Sequence, residues 1–382
     1  MDGSAQITGG ILQDRSNRRA FIFDVAVSGL NSSLNSGWGT GVYFYSVGWF
    51  IVENFLFLGD FSQGNISGNW AGYGIRIGGP GIPVEGKITN SAFYSAEIGI
   101  FVPDYFEGLY ASTIDMVNVQ QGIYAAYAAG ISTIPEVDCG LLQPSIHHVH
   151  INCRRNGVFI KSVNQGSITC CNIYVEPKAG DVNFAGIFLV NGATNFISNN
   201  AIRNANPSNT TTLAWGIVLS SQTRCQITNN TPSYFNGAGI FLVSNSDNNV
   251  VSQNILESST YSVASDATDN GNIVTYNKSI SITGTPYNLS AGNIIVVSQF
   301  SSQYVVTLTG GASTEVVTFS VASGVFSSKP TSAFSDIAGS DEYICSYDFS
   351  GSSATSLVFK IRKITAGSIP NGLQRFSVSA SE

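Results

Sequence analysis

The pentapeptide GIFLV occurs twice, at Gly186–Val190 and Gly239–Val243. Close relatives surround it: GVYF at 41, GYGIRI at 72, IGIFV at 98, GIYAA at 122, GVFIK at 157 and GIVLS at 216. The glycines of these eight phrases, at 41, 74, 99, 122, 157, 186, 216 and 239, are separated by 23 to 35 residues. A step that varies but seldom falls below the low twenties describes a repeating coil with loops of different length.

A second phrase precedes each glycine phrase. It reads WFIVENFLF (49–57), GKITNSAF (86–93), ASTIDMVNV (111–119), PSIHHVHINC (144–153), GSITCCNIYV (166–175), TNFISNNAIRN (194–204), RCQITNNTPS (224–233), NNVVSQNIL (248–256) and NIVTYNKSI (272–280). Aligning their first apolar residues places Asn54, Asn200, Asn230, Asn254 and Asn277 in one column, with Ser91 and Cys171 as small substitutes. Asparagine tolerates the left-handed backbone of a sharp corner, and stacked amides bond from one coil to the next. Each repeat therefore reads as three short strands, one ending at the asparagine corner, one after it and one carrying the glycine phrase. Period-two alternation sends Val42, Ile75, Ile100, Ile123, Val158, Ile187, Ile217 and Ile240 inward. Such columns form a continuous dry core.

This grammar resembles the right-handed parallel β-helix of the pectate-lyase-like superfamily, and within it the central domain of bacteriophage tailspikes. The resemblance covers roughly residues 20–280. The Asn-Thr-Asp, Asp-Asp and Gly-His-Gly elements of polygalacturonases and the paired aspartates of pectate lyases are missing, which turns the expectation away from plant cell-wall enzymes. From about Ile280 alternating antiparallel strands with Gly/Ser turns take over. The expected organisation is all-β: a segment 1–19, a parallel β-helix over 20–283, and a C-terminal antiparallel β-sandwich-like cap over 284–382. The resemblance implies that the cap helps to hold a homotrimer.

Composition narrows the function. Charged residues make up 11% of the 382-residue chain, against about 25% in ordinary globular proteins. A net charge of −7 without a basic stripe argues against a nucleic-acid partner. No apolar run is long enough for a membrane span. The start MDGSAQITGG lacks a basic-then-apolar leader, so no signal peptide is expected. A longer parent protein is expected, joined to a phage tail through an N-terminal region. Six scattered cysteines read as small interior fillers. Neither a metal nor a cofactor is expected.

Long loops on a regular scaffold tend to carry function, and here they gather early. GGPGIP, PDYFEG and AAGISTIPEVDCGLLQ follow the glycine strands of the first coils, and SGLNSSLNSGWGTG and GDFSQGNISGNWAGYG precede them. Two walls are expected to flank the outward column Tyr43, Arg76, Phe101, Tyr124, Phe159, Phe188, Val218 and Phe241. The superfamily resemblance implies a substrate groove on this face. Trp38, Tyr43, Trp70, Arg76, Phe101 and Tyr124 are the expected substrate-binding residues, because aromatic faces stack on sugar rings while polar groups meet hydroxyls.

Glycoside hydrolysis takes two carboxyl groups, one protonated and one ionised. Glu97, expected to alternate out, in, out, in, out through Phe101, is the first candidate, since an apolar face raises a carboxyl's pKa toward acid duty. Asp104 and Glu107 follow the same strand, and Asp60 flanks it one coil earlier. All three histidines lie in SIHHVHINCRR (145–155), where His148 with Arg154 or Arg155 offers a β-elimination alternative. Acids outnumber bases, so the expected activity is endo-acting hydrolysis of a bacterial capsule, exopolysaccharide or O-antigen by a tailspike-like depolymerase of the virion. A lyase of the same fold, a non-enzymatic glycan-binding adhesin and a secreted enzyme are the alternatives.

Overall fold

In a computed structural model, the structure describes residues 19–28, 40–59, 71–80, 84–177, 184–208, 213–284, 286–296, 300–308, 314–320, 332–337, 343–347, 352–353, 356–363 and 372–381. The regular elements of the described residues are strands apart from one 3-10 turn at Glu136–Asp138, and among the described residues no helix is long and apolar enough to cross a membrane.

Twenty-seven strands join into one continuous parallel ladder, each pairing with its counterpart one coil on. The glycine phrases form a face sheet. Its rungs include Thr40–Tyr45, Ala71–Gly78, Ala96–Val102, Gln121–Ala125, Val158–Asn164, Phe184–Ala193, Ala214–Thr223 and Ala238–Val243. A second sheet (Ser167–Thr169, Phe196–Ser198, Gln226–Thr228 and onward) and a third (Asn172–Val175, Ala201–Asn204, Thr231–Ser233 and onward) complete each coil. In the early coils these two merge into single bent strands such as Tyr105–Val119 and Ser145–Cys153. The chain is thus a parallel β-helix. Parallel pairing continues to Ile294–Val296, past the boundary read at 283/284. Beyond it lie two three-stranded antiparallel sheets.

The expected inward column holds throughout. Val42, Ile75, Ile100, Ile123, Val158, Ile187, Ile217 and Ile240 are all buried and pair rung to rung. The glycine before each of them faces inward as well. A Cβ on Gly99 would stand 2.6 Å from Met116 Sδ, and one on Gly186 would stand 2.2 Å from Ile202 Cγ2. Two successive residues therefore turn their backs on solvent at this kink, and only hydrogen fits at the first. This corrects the simple alternation expected through Glu97–Phe101, and it puts the residue before the glycine on the outer face.

The asparagine column is real with one exception. Asn200 Nδ2 donates to Asn230 Oδ1, Asn230 Nδ2 to Asn254 Oδ1 and Asn254 Nδ2 to Asn277 Oδ1, at 2.9, 3.0 and 2.9 Å. Cys171 N–H donates to Asn200 Oδ1, and Ser91 stacks through Ile114 and Val149 into the same column. The left-handed residue is the one before: Asn199, Asn229, Gln253 and Tyr276 have φ of 57°, 55°, 58° and 54°. Asn54, at φ 53°, belongs to that outer column, and Phe55 takes the buried place beside Ser91. A second ladder, Asn249–Asn272–Asn293, braces the corner between face and second sheets.

Cys139, Cys153, Cys171 and Cys225 are buried and Cys170 is exposed. Burial pushes the Cys171 thiol up to about 11. These buried thiols fill space.

Candidate functional site

On the face sheet, Tyr43, Arg76, Phe101, Tyr124, Phe159, Phe188, Val218 and Phe241 stand in one register column. The rings run almost without a break. The Arg76 guanidinium lies 4.3 Å over the Tyr43 ring, Phe101 is 6.0 Å from Tyr124, and Tyr124 stacks on Phe159 at 4.9 Å and 14°. Phe159 meets Phe188 edge-on at 5.2 Å. Two residues that the sequence reading missed join from the slot before the glycine: Tyr73, 4.6 Å from Phe101, and Trp215, stacked on Phe241 at 5.9 Å. The inward glycine is the signal that could have found them.

Glu97 sits at the entry edge of this row. Gln120 and Arg155 occupy the same turn in the next two coils, with Gln120 N–H donating to Ala96 O at 3.0 Å and Arg155 N–H to Gln120 O at 2.9 Å. Burial raises the Glu97 carboxyl above its usual 4.5, and the Arg155 charge opposes that shift. Burial also raises the Tyr73 phenol, and the charge of Glu97 adds to it. The entry edge thus gathers a half-buried acid, a phenol and a guanidinium.

The other acids stand elsewhere. Seven residues of extended chain separate Glu97 from Asp104, on the order of 20 Å, beyond the 5–9.5 Å or so that paired glycosidase carboxyls span. Asp104 is buried, and its carboxylate is saturated by Gly79 N–H at 2.8 Å, Thr133 N–H at 2.6 Å and Thr133 O–H at 3.1 Å. It is a loop anchor, which corrects its expected place in an open groove. Glu107 lies on the next strand, paired in register with Val84 and Leu142, and with burial it raises the Tyr105 phenol. Asp60, Trp38 and Trp70 lie outside the described residues.

The segment Ala126–Cys139 is a strap across the exit edge of the face. Arg76 donates to Ile131 O at 2.8 Å, Ser132 O–H to Pro103 O at 2.6 Å, and Lys161 pairs with Glu136. Phe101 is buried at 2% exposure, while Tyr43, Arg76, Tyr124, Phe159 and Phe188 stay partly open.

His148 occupies the left-handed corner between second and third sheets, φ 53°, five extended residues from Arg154 and a sheet away from the entry edge where Arg155 faces Glu97. The structure does not bring His148 and Arg155 together. His148 Nδ1 instead meets His147 Nδ1 at 3.1 Å.

A stacked-coil β protein with an aromatic strand face and one desolvated acid at its edge is the class that this architecture defines. The chain belongs to the family described as periplasmic copper-binding protein (NosD), whose family model matches residues 84–282. No curated protein matches it. Among solved structures it is similar to the tailspike protein gp49 from Pseudomonas phage LKA1, with TM-score 0.39 and 12% identity over 95% of this chain and 67% of that one. It is also similar to the tailspike gp61 of Pseudomonas phage phi297, with TM-score 0.31 and 13% identity over 89% of this chain and 66% of that one. A third is a mutant tailspike protein of E. coli bacteriophage HK620 in complex with hexasaccharide, with TM-score 0.30 and 12% identity over 98% of this chain and 86% of that one. The chain spans about two thirds of the length of the first two. Phage tailspikes are thus among the structures that it resembles.

The family's description implies copper. Among the described residues, no three His, Cys, Asp or Glu side chains converge into a metal cage. The soft ligands that copper prefers are in the wrong place, since Met116, Cys153, Cys171 and Cys225 are core fillers. The described residues do not fit a copper site.

Proposed function

We propose that this protein binds a bacterial surface polysaccharide along the face sheet and hydrolyses it within the chain, with Glu97 as the general acid. The observation that carries this reading is the ring row from Tyr43 to Phe188 with a desolvated carboxyl at its edge. The coils rise about 4.8 Å each, close to the length of one pyranose unit in an extended glycan, so the open members of the row, Tyr43, Arg76, Tyr124, Phe159 and Phe188, can meet successive sugars while buried Phe101 backs them. Protonated Glu97 gives its proton to the glycosidic oxygen as the bond to the anomeric carbon breaks. Water adds to that carbon, and its proton passes to an ionised carboxylate. Asp104 and Glu107 are poorly placed for that second role, and Asp60 is the remaining acid of the sequence-based set.

Exposed apolar side chains in register on the second sheet, Phe196 and Ile273 at 40% and 37% exposure, support assembly into a homotrimer. In this reading the protein works from a virion tail at the bacterial surface during host attachment, with secretion as the alternative, and the residues after Val296 form a sandwich-like trimer cap. The test is a panel of purified capsular, exopolysaccharide and O-antigen polymers scored for new reducing ends. Release of 235 nm absorbance would indicate a lyase, and binding without cleavage an adhesin.

A further inference from the structure

The third sheet carries a second row that the proposed cleavage does not use. Tyr94 O–H donates to Asp115 Oδ2 at 3.2 Å, and Asp115 Oδ1 lies 2.5 Å from His150 Nδ1. The His150 ring stands edge-on to Tyr174 at 5.8 Å and 83°. Tyr174 pairs in register with Arg203, whose guanidinium lies 4.9 Å over the Tyr234 ring. The row is open, with the His150 and Asp115 side chains 41% and 44% exposed and Arg203 exposed.

Each member has a hydrogen-bonding group, and three of the six present a phenol ring. Asp115 fixes His150 through Nδ1, which leaves Nε2 for a ligand hydroxyl. Such amphipathic rings and fixed polar groups suit hydroxylated rings. A contact between copies of this chain fits the row less well, because its paired charges would lose water for little apolar gain. The exposed Phe196 and Ile273, in one register column with Gln226 and Val250, are the better candidates for that role.

We infer that Tyr94, Asp115, His150, Tyr174, Arg203 and Tyr234 form a second saccharide-binding strip, which holds a distant stretch of the polymer that the face sheet engages. This inference rests on the glycan reading above. Two strips on one chain raise the affinity for long polymer through effective concentration while leaving short fragments to the face sheet alone.

The experiment takes the polymer that the full chain binds best on a printed array of bacterial capsular, exopolysaccharide and O-antigen preparations. Binding is measured for the intact polymer and for short fragments made from it by mild acid. His150→Ala, Tyr174→Ala and Arg203→Ala should each weaken polymer binding about tenfold. Reducing-end release from the short fragments should stay at the wild-type rate. Wild-type polymer binding in all three variants, with loss in Tyr124→Ala, would overturn the strip and leave the face-sheet reading intact. A lower sedimenting mass for Arg203→Ala with polymer binding unchanged would reassign the row to a contact between copies. An array on which the wild-type chain binds no polymer would overturn both readings.

Discussion

The side-chain amide of Asn200 donates to the amide oxygen of Asn230 at 2.9 Å, and the same oxygen accepts the Asn200 backbone N–H at 3.1 Å. One oxygen thus ties a side chain and a main chain of the coil above, both out of reach of water. Asn230→Ala orphans the Asn200 N–H and removes donors from Ile197 O and Thr228 O. The expected cost is roughly 2–4 kcal/mol for several buried groups, read as a lower thermal midpoint. Asn54→Ala, outside the ladder, should shift the midpoint far less. Equal shifts would refute the ladder's role.

Gly186 gives a second stability test. A methyl group there would overlap Ile202 Cγ2 at 2.2 Å, and overpacking of this kind costs about 1–3 kcal/mol. Gly186→Ala should therefore destabilise the wild type by that amount and cost less in an Ile202→Ala background, where only the Gly216 carbonyl at 2.9 Å remains close. Strict additivity in the cycle would show that the glycine serves another purpose.

Glu97→Gln keeps the size of the side chain but not its transferable proton, so turnover should fall by ~10²-fold or more. Burial raises the Glu97 carboxyl and Arg155 lowers it, which fixes a sign. The acid works only while protonated, so the alkaline limb of kcat/KM tracks its pKa. Arg155→Ala removes the opposing charge and should move that limb to higher pH. A limb that stays in place or moves down would separate Arg155 from Glu97.

Asp104→Asn addresses the strap instead of the chemistry. An amide replaces one of the two oxygens that take the Gly79 and Thr133 hydrogens, so the segment 126–139 should loosen. Limited proteolysis there should accelerate, while activity falls by less than in Glu97→Gln. A loss as deep as that of Glu97→Gln, with the strap still protected, would return Asp104 to the reaction.

Asp269 sets a pH dependence of folding. Burial raises its carboxyl from 3.8 to about 6, against the N–H groups of Ser246 and Asp266 that favour its charge. Between those two values the folded chain holds more proton than the unfolded one, so stability falls as pH rises through the window, and the loss is complete above the upper value. Midpoints measured across this range should decline for the wild type and decline less for Asp269→Asn. Parallel curves would place the titration elsewhere.

The glycine phrase made the core column legible, because branched aliphatics two residues apart leave one inward choice. It also made the face column legible, since register follows once one coil is aligned on the next. The break in alternation at each glycine was hidden, because only the opposite wall, Met116 against Gly99 or Ile202 against Gly186, reveals which way the missing side chain would point. Asn54 misled by one position, since Phe55 fills the buried place in an early, aromatic coil. The Asn249–Asn272–Asn293 ladder escaped because Gly166 and Cys225 stand in its column elsewhere. Asp104 read as a groove acid because its partner Thr133 comes 29 residues later, in a strap whose return path no local pattern announces. Glu97 was legible as a desolvated acid, while its neighbour Arg155 was read into a different pairing.

The two halves of the coil stack are made of different material. Phe44, Phe50, Phe55, Phe57, Phe93 and Phe106 fill the early interior, whereas amide ladders brace the late one. Because the strands of each coil pair only with those of its neighbours, a change in the early loops is felt within the few coils that the strap ties together, from Arg76 to Ile131, and not in the late half. The late half then serves as a fixed footing on which a lineage can exchange the working end piece by piece. The working end could thus change by loop replacement without the chain ever having to solve its folding problem anew.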